Sequence, residues 1–168
     1  KIGLLAVNNS TDDFSKIEKT LMNIGSNPYT SDGYIYESIA VLNSGLNCYN
    51  ATALSTLEKC KKITYLQLCY HSDGYSSTTL SLDFSKCTSL TGGYYCQFNI
   101  AKITLPKSYT SLSVYHQYRT IFDFDTESDL KTITLNNCSP VDSTIANAMA
   151  KCSKLNTICL YGNALNNL

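Results

Sequence analysis

Apolar and polar positions along the chain recur in one arrangement. Near the C-terminus, Leu155, Ile158 and Leu160 stand three and then two residues apart, and Asn163 follows three residues later. Two apolar residues two apart in a short strand point to the same side, into a core. The residue three positions earlier enters that core from the preceding turn. A polar or small residue three positions after the pair sits where the chain bends, and its side chain can satisfy backbone groups there. The arrangement returns as Ile2, Leu5, Val7, Ser10; as Tyr36, Ile39, Val41, Ser44; and as Ile63, Leu66, Leu68, His71. Ile100, Ile103, Leu105, Ser108 and Leu130, Ile133, Leu135, Cys138 repeat it again. The paired apolar residues of these copies form the predicted core.

Between copies the period changes. Phe14, Ile17, Leu21 and Ile24 follow at helical spacing after the capping candidates Ser10 and Thr11, and Gly25 can end that helix. A short helix over 51–60 would turn Leu54 and Leu57 inward. Ser139 followed by Pro140 reads as a cap and first helical position, with Val141, Ile145, Met149 and Cys152 on one face. The middle alternates instead: Thr79–Phe84, Ser111–Tyr115 and Thr120–Phe124 read as extended pieces on the outer side.

This strand template is the leucine-rich repeat pattern L-x-x-L-x-L-x-x-N/C-x-L. The predicted fold class is therefore α/β: a leucine-rich-repeat solenoid with short parallel inner strands and a mixed helical and extended outer side. It would be a single domain over residues 1–168, with about six repeats starting near 2, 36, 63, 100, 130 and 155. Several steps exceed the ordinary range of about 20–29 residues, which implies insertions. An ordinary α/β domain of alternating strands and helices is the competing expectation. It does not account for the recurrent residue at the bend.

Two stretches resemble the BspA-like leucine-rich repeats of bacterial surface proteins. One is Ile103–Val114, a strand, a proline, then a Thr- and Ser-rich extended piece. The other is Cys-x-x-Leu/Ile leading into the next strand, at Cys60–Ile63, Cys87–Leu90 and Cys152–Leu155. The chain departs from that family at Ala146–Ala150, where an aromatic step before the cysteine is usual. The resemblance implies an exported or surface-anchored binding module used in adhesion or recognition. It carries over no catalytic residue.

Composition narrows this further. The chain has 168 residues, enough for one domain with its own core. Thirteen basic and 13 acidic residues leave no net charge, so there is no electrostatic footprint for nucleic acid. No apolar run is long enough to span a bilayer, which excludes membrane insertion by a helix. Lys1 predicts a mature or trimmed piece of a longer chain. Abundant Tyr, Ser, Thr and Asn lean toward an extracellular or cell-surface setting.

The eight cysteines contain no C-x-x-C pair, so a zinc ribbon fails on spacing. Their even number admits some disulfides, but recurrence of Lys-Cys at positions 59–60, 86–87 and 151–152 favours small buried thiols. His71 and His116 have no spacing that selects a nucleophile pair. Asp123, Asp125, Glu127 and Asp129 lack the glycine and terminal glutamate of a calcium loop and read as a solvated turn. The sequons at Asn8, Asn9, Asn50 and Asn137 read mostly as turn residues. No catalytic residue, metal or cofactor is expected.

The expected function is a non-catalytic binding or adhesion module for a protein or glycan partner. An α/β enzyme of unknown reaction and a structural spacer in a longer surface protein are the alternatives. Tight interfaces centre on aromatic residues and Arg. The chain concentrates these at Tyr94, Tyr95, Tyr109, Tyr115, Tyr118 and Arg119, within the irregular middle. On the inner sheet Tyr65 and Gln67 stand out from a column that is otherwise small and, Lys102 apart, neutral, as at Thr104. No polar cap follows Leu165, so self-association through an open C-terminal edge is also expected.

Overall fold

The computed structural model describes residues 2–7, 29–30, 33–34, 36–43, 55–70, 75–139 and 141–162; the expected first helix, Leu54, His71, Cys48 and Asn163 lie outside them. In chain order the strands begin with β1 (Ile2–Val7), the antiparallel pair β2 (Tyr29–Thr30) and β3 (Gly33–Tyr34), and β4 (Tyr36–Asn43). A single turn of 3-10 helix (Thr56–Lys59) precedes β5 (Tyr65–Tyr70). Then come β6 (Tyr75–Ser76), β7 (Ser81–Asp83), β8 (Gly92–Cys96), β9 (Phe98–Asn99), β10 (Lys102–Thr104), β11 (Ser111–Tyr115), β12 (Ile121–Asp123) and β13 (Thr132–Asn136). Helix α1 (Val141–Lys151) and β14 (Thr157–Tyr161) complete the described chain.

The fold is α/β with parallel sheets. Seven strands form the larger sheet, in the order β1-β4-β5-β8-β11-β13-β14, so neighbours in space follow one another along the chain. Every pairing in it is parallel. A second parallel sheet has the order β12-β10-β7, and β6 pairs with β9. Parallel neighbours need a crossover, and here the crossovers carry the second sheet and the helix.

Two columns of backbone geometry tie the larger sheet together. Before the strands, a turn closes when Ile63 N–H donates to the Cys60 carbonyl, Leu90 N–H to Cys87, Tyr109 N–H to Pro106 and Leu155 N–H to Cys152. The three cysteines in these turns are buried and form no disulfide, the small apolar role their recurrence predicts. After the strands, Gln97, His116, Asn137 and Gly162 each take a positive φ of 50–63°. They follow Cys96, Tyr115, Asn136 and Tyr161, which share one register row. The same left-handed residue thus makes the same bend at each of four neighbouring strands.

One contiguous hydrophobic cluster takes side chains from both sheets and from α1. Leu66, Leu68, Leu112, Val114, Ile133 and Leu135 enter it from the larger sheet, and Leu82, Ile103 and Phe122 from the smaller one. Helix α1 continues the smaller sheet sideways. The Thr144 hydroxyl accepts from Phe122 N–H at 3.3 Å, Asn147 Nδ2 donates to the Phe122 carbonyl at 3.3 Å, and Lys151 Nζ reaches Asp123 Oδ1 at 2.6 Å. Burial of Leu5, Val7, Ile39 and Val41 lies outside the described side chains, although β1 and β4 hold their backbones in the expected register.

Three expectations need correction. Lys102–Thr104, the centre of the copy starting at 100, belongs to the smaller sheet and not to the larger one. Ser111–Tyr115, expected outside, is instead a central strand of the larger sheet. Both pieces alternate apolar and polar residues, and alternation cannot tell which of two parallel sheets a strand joins. Met149, expected on the buried face of α1, is 68% exposed, because the buried stripe is Val141, Thr144, Ile145 and Ala148.

Among the described residues the larger sheet ends at β14, which pairs there with β13 alone. Ile158 occupies the register position of the fully buried Ile133, yet is 40% exposed. Met149, Cys152, Leu155 and Ile158 line an open, mostly apolar groove at that edge.

Candidate functional site

The face of the larger sheet turned away from the core is set by strand alternation. From β5 to β14 its first row is Tyr65, Gly92, Ser111, Thr132 and Thr157. The second row is Gln67, Tyr94, Ser113, Thr134 and Cys159, and the third is Cys69, Cys96, Tyr115, Asn136 and Tyr161. None of these side chains carries a charge.

Tyr65, Tyr94 and Tyr115 fall on a diagonal of this grid, each one strand across and two residues along from the last. Strand spacing and residue rise put such steps about 8 Å apart. The diagonal begins at a groove of about 370 Å³ bounded by Tyr65, Thr91, Gly92, Gly93, Tyr94, Thr110, Ser111 and Ser113. Gly92 gives the groove a floor of bare backbone between two tyrosines. Along its side, the Thr91 hydroxyl donates to the Thr64 carbonyl at 3.2 Å and the Thr110 hydroxyl to the Thr91 carbonyl at 2.9 Å. Their lone pairs keep acceptor capacity.

The Tyr94 hydroxyl donates toward the Cys96 thiol, whose register partner is Cys69. Gln67 Nε2 donates to Cys69 Sγ at 3.4 Å. Burial, with help from Cys96 and Cys69, pushes the Tyr94 phenol up to about 12. Burial also pushes the Cys69 thiol up to about 11 and raises Tyr65 and Cys96. These groups are neutral at physiological pH: the phenols donate hydrogen bonds and the thiols are poor nucleophiles.

At its other end the diagonal meets the bends. The rings of Tyr115 and His116 are 4.2 Å apart between centroids, and His116 Nδ1 lies 2.9 Å from the Tyr118 hydroxyl. His116 and Tyr118 border a second groove with Asn137, Cys138, Ser139 and Gly162. Tyr118 is 56% exposed and Arg119 is exposed beside it.

Six of the eight predicted contact residues, Tyr65, Gln67, Tyr94, Tyr115, Tyr118 and Arg119, are exposed or half-buried. The tyrosine-rich flank and the sheet face, expected as separate surfaces, share Tyr94 and Tyr115 because β8 and β11 lie in the larger sheet. Tyr95 and Tyr109 are corrected: both are fully buried and offer nothing to a partner. Adjacent residues of a strand point to opposite sides, so Tyr94 and Tyr95 could never share a surface. Lys102 and Thr104 leave the face with β10. Sequence reasoning missed Gly92, Ser111 and Ser113, and the signal for them is the register of β8 and β11.

The acidic stretch is spent on local pairs. Asp123 meets Lys151 at 2.6 Å, Glu127 meets Lys107 at 2.6 Å, Asp129 pairs with Lys154, and Asp125 Oδ1 accepts from Glu127 N–H at 2.8 Å. Among the described residues no helix is long and apolar enough to cross a membrane. No family model, curated protein or solved structure matches the chain.

Proposed function

We propose that the chain is a leucine-rich-repeat solenoid of the BspA-like kind, acting as a non-catalytic binding module of an exported or surface protein. Its partner is a protein or a glycan, and its contact surface is the exposed face of the larger sheet. Support for the solenoid comes from strands stacked in chain order and from the repeated turns and left-handed bends that flank them. Support for binding comes from one observation: an uncharged face crossed diagonally by Tyr65, Tyr94 and Tyr115. Tyrosine supplies large contact area at low entropy cost.

Beads coated with the protein and offered to cells or extracellular matrix test this reading. The pair Tyr65→Ala and Tyr94→Ala should cut adhesion by up to about a hundredfold, since one aromatic contact is worth up to about 1.4 kcal/mol and two of them about twice that. Melting should change little. Adhesion at the wild-type level would remove this face from the function.

The same reading includes self-association through the β14 edge, where Ile158 and Met149 are exposed. An open strand edge invites pairing with another chain. Sedimentation velocity of the isolated chain should show concentration-dependent dimers that Ile158→Lys abolishes. A strict monomer at high concentration would count against it.

A further inference from the structure

Resting on the proposed binding face, we infer that its ligand is an uncharged polysaccharide strand laid along the Tyr65–Tyr94–Tyr115 diagonal. The first argument is charge. Phosphate, sulfate and carboxylate groups are recognised by Arg and Lys, and no residue in the outward rows of β5, β8, β11, β13 and β14 is charged. An anionic glycan, a nucleic acid or an acidic peptide would find no counter-charge within those rows, since the exposed Arg119 and Lys131 lie beyond the ends of β11 and β13. The second argument is spacing. Aromatic rings at steps of about 8 Å suit an extended ligand with repeating faces. Each sugar ring offers axial C–H groups of slight positive character to the negative face of a phenol ring. The third argument is the polar lining. Sugars present many neutral hydroxyls, each donor and acceptor. The Thr91 and Thr110 oxygens accept, having spent their own protons on backbone carbonyls. The phenol of Tyr65 stays protonated and can donate, while the Tyr94 oxygen, its proton turned toward Cys96, accepts. The bare backbone at Gly92 lets a ring approach closely between them.

A protein occupant fits less well. Protein interfaces bury a core depleted in Ser and built on large anchors in pockets. This face is open along the diagonal and floored by Gly and Ser.

Affinity electrophoresis of the whole protein tests the inference. Gels carry mixed-linkage β-glucan, galactomannan or dextran as neutral probes, and polygalacturonate or heparin as charged ones. At least one neutral probe should retard the protein, unaffected by high salt, and its oligomers should compete where its monosaccharide does not. Tyr65→Ala, Tyr94→Ala and Tyr115→Ala should each weaken binding up to about tenfold, the upper worth of one aromatic contact. Should an alanine variant melt early, Ser113→Lys supplies the check, because a long charge in mid-track should abolish retardation without touching the core. The inference is overturned if no neutral probe retards the protein, if only charged probes do, or if the variants migrate as wild type. Bead adhesion separates the two levels. Tyrosine-dependent adhesion without glycan binding sinks the glycan and leaves the binding face standing. Loss of both sinks the proposed function as well.

Discussion

Gly93→Ala should lower the stability of the fold by about 3 kcal/mol, at the upper end for overpacking. Gly93 points into the core at the register position filled by Leu66, Leu112, Ile133 and Ile158 in the neighbouring strands. A methyl group there would lie 2.5 Å from the Leu66 carbonyl oxygen and 2.8 Å from the Tyr109 hydroxyl. The space a leucine would use is taken by two phenols. Tyr95 and Tyr109 are fully buried and their hydroxyls lie 3.5 Å apart, the Tyr95 ring resting 5.3 Å from that of Phe122. Tyr109→Phe combined with Gly93→Ala should not recover the loss. The Leu66 oxygen is backbone, shared with the sheet, and cannot swing aside as a hydroxyl can. Urea denaturation of the single and double variants reads this directly. A Gly93→Ala loss below 1 kcal/mol, or full rescue by Tyr109→Phe, would show that the glycine is not tightly enclosed.

The same glycine explains why β8 was illegible. The strand template requires an apolar residue at its first core position, and Gly-Gly-Tyr-Tyr-Cys offers none. The apolar mass arrives from Tyr109, on the turn before the next strand, so no local pattern in β8 reports it. Once β8 is skipped, the template locks onto the next strong alternation, Ile103 and Leu105, which belongs to the smaller sheet. Where the apolar pair is intact, at Leu66 and Leu68 or Ile133 and Leu135, the predicted strand and its buried residues agree with the structure. Parallel pairing was legible for the same reason that sheet membership was not. Alternation fixes which side of a strand is buried, and it is silent on which strand lies alongside. The candidate site inherits this split. Its residue types stood out as tyrosines, but their alignment into one diagonal depends on pairing between residues 19 to 27 positions apart.

Above pH 9 the protein should lose stability steeply, by about 4 kcal/mol at pH 10 relative to pH 8, through thiols alone. Burial pushes the Cys60 thiol up to about 12 from an ordinary value of 9.0, with Cys87 adding to the rise and Lys61 opposing it. Burial likewise lifts Cys69 and Cys87 to about 11. In the unfolded chain these thiols titrate near their ordinary value. Between that value and 11–12 the unfolded state binds fewer protons than the folded one, so stability falls as pH rises. Their contribution is fully present below the unfolded value and is lost progressively on the way to the folded one. At pH 10, one unit above the ordinary value, each thiol withdraws about 1.4 kcal/mol, and three of them about 4 kcal/mol. The buried phenols Tyr95 and Tyr109, raised well above their ordinary value by burial, steepen the fall above pH 10 by the same sign. Equilibrium urea unfolding at pH 7, 8, 9 and 10, with reductant present to prevent disulfide formation, gives the curve. Cys60→Ala should flatten it by about a third, since it removes one of three equal contributions. A stability unchanged up to pH 10 would mean that these thiols ionise as readily in the folded protein as outside it, and the turns before β5 and β8 would have to be far more open than their geometry implies.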